Sequence, residues 1–248
     1  MILRSLASLG IGAAVVDTQL EDKPIYAGDL LKGEVCIQGG EIEQLIDDIY
    51  FYLMVEITKN DKKKPYMLKK IHLSEGFTIQ RRMTKKIPFE VRIPLETPMS
   101  TGSFRVFVKT GLDIKKAIDP QDVDDIDVVP PALIQKLLKE VENGGFILYK
   151  ISNQYDQSVK PHPFFQMFQF KPTGKNHGLV DELGVIFSLS DREMHMDIEI
   201  VRAGNVLHTD FYWSFEDIGQ PLLMNREQRF EDPILKLQEI LNTNQFKR

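Results

Sequence analysis

Tyr26-Ala27-Gly28-Asp29-Leu30-Leu31-Lys32-Gly33-Glu34-Val35-Cys36-Ile37 is the stretch whose reading decides the fold. Successive side chains of an extended chain point to opposite faces, so Leu31, Gly33, Val35 and Ile37 share one side of a strand. Gly28-Asp29 precedes the strand and Gly39-Gly40 turns the chain after it. The same grammar returns in Ile87-Pro88-Phe89-Glu90-Val91-Arg92-Ile93-Pro94 and in Ser103-Phe104-Arg105-Val106-Phe107-Val108. Between them lies the clearest alternation in the chain. Ile49, Phe51, Leu53, Val55 and Ile57 line one face, and Tyr50, Tyr52, Met54, Glu56 and Thr58 the other. Short alternating strands with turn residues at these intervals predict an antiparallel β-sandwich, an architecture that calls for no reaction.

Composition sets the outer bounds. The chain has 248 residues, enough for one large or two ordinary domains, and either half could bury its own core. Its 42% apolar and 27% charged content is that of a folded globular chain. A net charge of −5 gives no overall pull toward nucleic acid. Cys36 is the single cysteine, so no internal disulfide can form and a reducing compartment fits. No apolar run reaches the eighteen or so residues of a membrane span. Arg4 followed by Leu6 to Val16 imitates a signal peptide, but it lacks a small-residue cleavage site and runs straight into a strand-like segment. The expectation is a cytoplasmic protein.

Further along, Ile2, Leu3, Leu6 and Leu9 form a lead at helical spacing. Aspartates crowd residues 113–131 and Pro130-Pro131 follows, which reads as a turn-rich connector between two domains. A helix is predicted near 131–143. Pro131 stands at its start, Leu133, Ile134, Leu137, Leu138 and Val141 form a stripe, and Gly144-Gly145 stops it. Strands are predicted at 146–151, 164–170, 183–189, 194–201 and 208–215. A last helix is predicted near 232–243, capped by Asp232, with Pro233 at its first position and a stripe from Ile234 to Leu241.

Tyr26-Ala27-Gly28-Asp29 with Gly33-Glu34-Val35 resembles the strand-turn-strand of arrestin-like N-domains, and Ile87-Pro88-Phe89, Pro94, Pro98 and Ser100 resemble their later edge pattern. More narrowly, three segments taken in order resemble the bacterial sporulation-control family with an arrestin-like fold. They are Ala7 to Thr18, Leu112 to Asp122, and Phe168 to Lys175 with Asp181-Glu182-Leu183. The resemblance implies a mainly β fold of two arrestin-like antiparallel β-sandwich domains, 1–128 and 129–248, with one helix opening the second domain and another near the C-terminus. It also implies a non-enzymatic, cytoplasmic regulatory adaptor acting through protein–protein contacts. Fold likeness alone does not transfer a partner.

One feature stands out as a candidate binding surface. Lys59, Lys62, Lys63, Lys64, Lys69, Lys70, Arg81, Arg82, Lys85 and Lys86 face only Asp61 and Glu75, a local balance of +8 in a chain of −5, which leaves −13 elsewhere. Two strands joined by a turn at Ser74-Glu75-Gly76 would bring both ends of the cluster together, for a protein partner or an anionic membrane at the inner face. The plainer alternative is a solvated edge kept soluble by lysines. Arrestin-like proteins can hold their domains through a charged network, and the resemblance makes Arg105, Asp113 and Asp119 candidates for that latch by position alone.

No other motif calls for chemistry. His72, His162, His177, His195 and His208 are scattered without metal-ligand spacing, although His195 and Asp197 share a strand face. Cys36 reads as packing, and the Asp run lacks the calcium-loop pattern. No nucleophile elbow or phosphate loop occurs, so no catalytic residue, metal or cofactor is expected. Phe211, Trp213 and Phe215 read as a core face, and Phe164–Phe170, with Phe168 and Phe170 alternating against glutamines, reads as a half-buried strand or as an edge awaiting a partner strand. A ligand-binding or hydrolytic sandwich and a self-assembling scaffold stay open as alternatives.

Overall fold

Gly28 shows how the deciding stretch works. It sits at φ +96°, a conformation costly for residues with a side chain, and the Asp29 N–H closes the turn onto the Tyr26 carbonyl at 3.0 Å. The chain leaves that turn as a nine-residue strand. This is a computed structural model, and it describes residues 12–21, 24–114 and 119–214, the last two without side-chain detail at Trp213 and Ser214. The predicted C-terminal helix and the Ile2–Leu9 lead lie outside the described residues.

The chain divides into two units, Met1–Glu56 with Lys64–Val129, and Ile57–Lys63 with Pro130–Arg248. In the first, β1 (Val15–Leu20), β3 (Leu30–Gln38) and β6 (Thr84–Arg92) form one antiparallel sheet. The second sheet joins β5 (Lys62–Ile79), β4 (Gln44–Lys59), β7 (Val106–Ile114) and β8 (Gln121–Ile126). Two short strands, β2 (Ile25–Tyr26) and β9 (Val128–Val129), pair in parallel. The inner faces are those read from alternation. Ile49, Phe51, Leu53, Val55 and Ile57 are all buried, as are Leu31, Val35 and Ile37. The sheets meet through Phe51 on β4 and Phe89 on β6, ring centres 5.0 Å apart, and through a buried hydrogen bond from the Thr18 hydroxyl to that of Thr110 at 2.7 Å.

The second unit opens with α1 (Ala132–Asn143), which buries Ile134, Leu137 and Val141 and leaves Leu133 and Leu138 half-buried. Pro131 precedes the helix as its cap residue instead of occupying its first turn. Strands β10 (Phe146–Tyr155), β11 (Phe164–Pro172), β12 (Glu182–Leu189), β13 (Glu193–Arg202) and β14 (Asn205–Ser214) then pair in chain order as one antiparallel sheet. Phe168 and Phe170 face its core, as expected. Buried Asn176 ties the end of α1 to the sheet, its amide donating to the Gly144 carbonyl at 2.8 Å. The β4–β5 tip belongs to this unit, with Thr58 opposite Gln154 and the Lys59 ammonium 3.7 Å over the Tyr155 ring. Among the described residues no helix is long and apolar enough to cross a membrane.

Two local expectations are corrected. The acidic run is no connector: Asp122, Asp124 and Asp125 lie on β8, paired with β7 inside the first unit. Aspartate is a poor strand former, so propensity hid a strand that its partner specifies. Nor does a turn interrupt β5 at Ser74-Glu75-Gly76. The hairpin turns instead at Asn60-Asp61, both with positive φ, the two-residue turn that matches strand twist. Gly76 serves close approach, because a Cβ there would lie 2.6 Å from the Asp47 carbonyl oxygen.

Candidate binding site

The uninterrupted β5 spreads the basic cluster along a strand. At about 3.3 Å per residue, a contour on the order of 50 Å separates Lys64 from Ile79. Lys62, Lys63, Lys64 and Lys69 are exposed on it. Five of the predicted cations make the following contacts. Arg81 and Arg82 both hold Glu41, at 2.8 and 2.9 Å. Lys86 holds Glu34, Lys85 sits 3.6 Å over the Phe77 ring, and Lys70 sits 3.6 Å over Tyr50. The expected folding-back of the two ends into one patch therefore does not occur.

Arg105, Asp113 and Asp119 are not brought together either. Arg105 precedes β7 and pairs with Asp125 at 2.6 Å, its guanidinium over the Phe107 ring. Asp113 stands near the other end of β7, opposite Asp48, and Asp119 accepts the Ile114 N–H at 3.1 Å. All three lie in the first unit. Cys36 is half-buried, more open than expected. Burial, with Glu34 beside it, pushes its thiol upward, away from thiolate character.

What alternation alone did not reveal is a groove on the outer face of the second sheet. Tyr50, Tyr52 and Met54 of β4 form its floor, with Met67 and Lys70 of β5 on one side and Lys109 of β7 on the other. Gly111 leaves a gap beside Tyr52, and Asp113 and Asp119 stand at one end. The groove holds about 460 Å³. Lys70 reaches both tyrosine rings, at 3.6 and 5.6 Å, while Lys109 is the cross-strand partner of Tyr52. The His72 ring meets Asp48 at 2.7 Å and packs on Tyr50. The outward alternation Tyr50, Tyr52, Met54 was visible in the sequence. The β5 and β7 partners that turn it into a groove depend on register.

On the inner side of β8 a carboxylate seam meets β1. The Thr18 N–H donates to Asp122 at 2.6 Å. Asp124 is pushed up to about 6 by burial first, then by Asp122, Asp17 and Asp125 around it. Because its folded value lies above its ordinary 3.8, no penalty is felt below about pH 4. The penalty grows between pH 4 and 6 and is complete above that. Asp124→Asn should match the wild type in urea titrations at pH 4 and exceed it at pH 7 by about 1 kcal/mol after solvent screening.

Comparison with known proteins places these features in a lineage. The profile of the family described as SpoOM protein (Spo0M) matches residues 2–204. The chain belongs to the Spo0M family. Within that family, the sporulation-control protein Spo0M of Bacillus subtilis (strain 168) is 34% identical over 245 residues, covering 95% of this chain and 93% of the relative. The crystal structure of Spo0M from Bacillus subtilis superposes at a TM-score of 0.80 with 29% identity, covering 95% of this chain and all of that one. The mainly β, arrestin-like reading drawn from the sequence agrees with this membership.

Proposed function

We propose that this Spo0M-family chain is a regulatory protein of the sporulation-control kind, a non-enzymatic adaptor that holds a protein partner against the outer sheet face of its first unit. The observation that carries this reading is the groove. Tyrosine and methionine side chains stand outward on the sheet with lysines over and beside them, a composition suited to a binding surface. The relative's role in sporulation control supports regulation. We further assign residues 1–128 and 129–248 to two arrestin-like domains, and the protein to the cytoplasm. The exposed Lys64 and Lys69 of the first unit would form a rim that meets the partner or, at the inner membrane face, anionic lipid.

A photo-crosslinking side chain placed at Lys109 in living cells tests this reading, with a matched probe at exposed Glu90 on the opposite sheet as control. One discrete protein should be captured from Lys109 alone, and should bind the purified full chain when remade. Equal capture from both positions, lipid alone, or a captured protein that fails to bind on its own would overturn the adaptor reading.

A further inference from the structure

We propose, building on the adaptor reading, that the groove takes an extended acidic peptide segment, seating a carboxylate between Lys70 and Lys109 over Tyr52. Charge complementarity carries the choice of occupant. Several cations elsewhere on the first unit have found carboxylates: Arg81 and Arg82 on Glu41, Lys86 on Glu34, Lys32 on Glu90, Arg105 on Asp125. Among the described residues no carboxylate pairs with Lys70 or Lys109, in a chain whose net charge is −5. Lys70 rests on tyrosine faces, 3.6 Å over Tyr50 and 5.6 Å from Tyr52.

The shape of the floor argues for an extended chain. Tyr50, Tyr52 and Met54 repeat along β4 at about 6.7 Å, the spacing of alternate side chains in an extended peptide. A carboxylate over Tyr52 would place apolar neighbours two positions away near Met54 and Met67. At the other end Asp113 and Asp119 are suited to accept hydrogen bonds from the segment or to meet a basic residue, which would set its direction. The groove lies recessed between strands, so it admits a single chain more readily than the plane of a bilayer.

Gly111 supplies the sharpest test. A Cβ built there meets only the Tyr52 ring, at 3.9 Å, so a side chain would fill the groove without displacing the fold. The probe is a fluorescent decapeptide repeating Leu-Ser-Glu-Ser, which sets glutamate and leucine two positions apart on one face, followed by anisotropy with the full chain. The same peptide with glutamine, and vesicles of phosphatidylglycerol in phosphatidylcholine, serve as comparisons. The glutamate peptide should bind, the glutamine peptide about tenfold or more weakly, and the vesicles not through this groove. Lys109→Glu should weaken glutamate-peptide binding by about tenfold or more, and Gly111→Val should abolish it while leaving Tm unchanged or raised. The proposal is overturned if the glutamate peptide does not bind, if the glutamine peptide binds as well, if both variants bind like wild type, or if vesicles compete through the same residues. Should it fail while the Lys109 crosslink persists, the acidic chemistry is wrong and the adaptor reading survives.

Discussion

Phe51→Ala is expected to lower the stability of the first unit by about 3–5 kcal/mol, the range for emptying a buried aromatic site. Phe51 has no solvent exposure and packs on Phe89 across the sandwich. Its strand neighbours on that face, Ile49 and Leu53, are equally closed, so little can collapse into the space. Urea unfolding followed by hydrogen exchange, resolved to peptides of β3, β4 and β6, measures the loss where it arises. A change under about 1 kcal/mol would mean that the two sheets do not share one core.

Gly33→Ala should cost about 2 kcal/mol, although it adds a single methyl group. A Cβ at this position would lie 2.5 Å from the Gln19 carbonyl oxygen, 3.3 Å from the Leu20 Cα and 3.0 Å from the Phe89 ring. Two of these are backbone atoms of β1, paired with β3, so relief would require breaking that ladder. Gly111→Ala is the matched control. Its Cβ meets nothing closer than 3.9 Å, so its midpoint in urea should stay level or rise. Equal losses at both positions would refute the packing argument.

The same pair shows what a sequence can disclose. Gly33 sits amid alternating Leu31, Val35 and Ile37, so its strand and its core face were legible from period alone. Gly111 sits in an equally plain strand, yet its role as an opening beside Tyr52 depends on which residues of β4 and β5 lie alongside. Register is a property of pairing, and no single strand carries it. The hairpin turn at Asn60-Asp61 contains no glycine, whereas Ser74-Glu75-Gly76 carries that stronger punctuation residue inside an unbroken strand. The aspartates of β8 misled in the opposite direction, since residues suited to loops were recruited into a ladder with β7. The cations of the basic cluster are legible as residues, whereas their spacing along one unbroken strand is not. Their dispersal follows from the length of β5, which composition does not encode.

The short parallel pairing of Ile25 with Val128 joins positions roughly a hundred residues apart. Closing a loop of that size costs about 4 kcal/mol in its length-dependent part alone. A chain emerging from the ribosome therefore holds β1 to β7 without this clasp until it has been made as far as Val128. During that interval β1 also lacks the Asp122 side chain that caps its Thr18 N–H. The nascent first unit is thus at its most vulnerable, and most in need of a chaperone, just before β8 and β9 are synthesised.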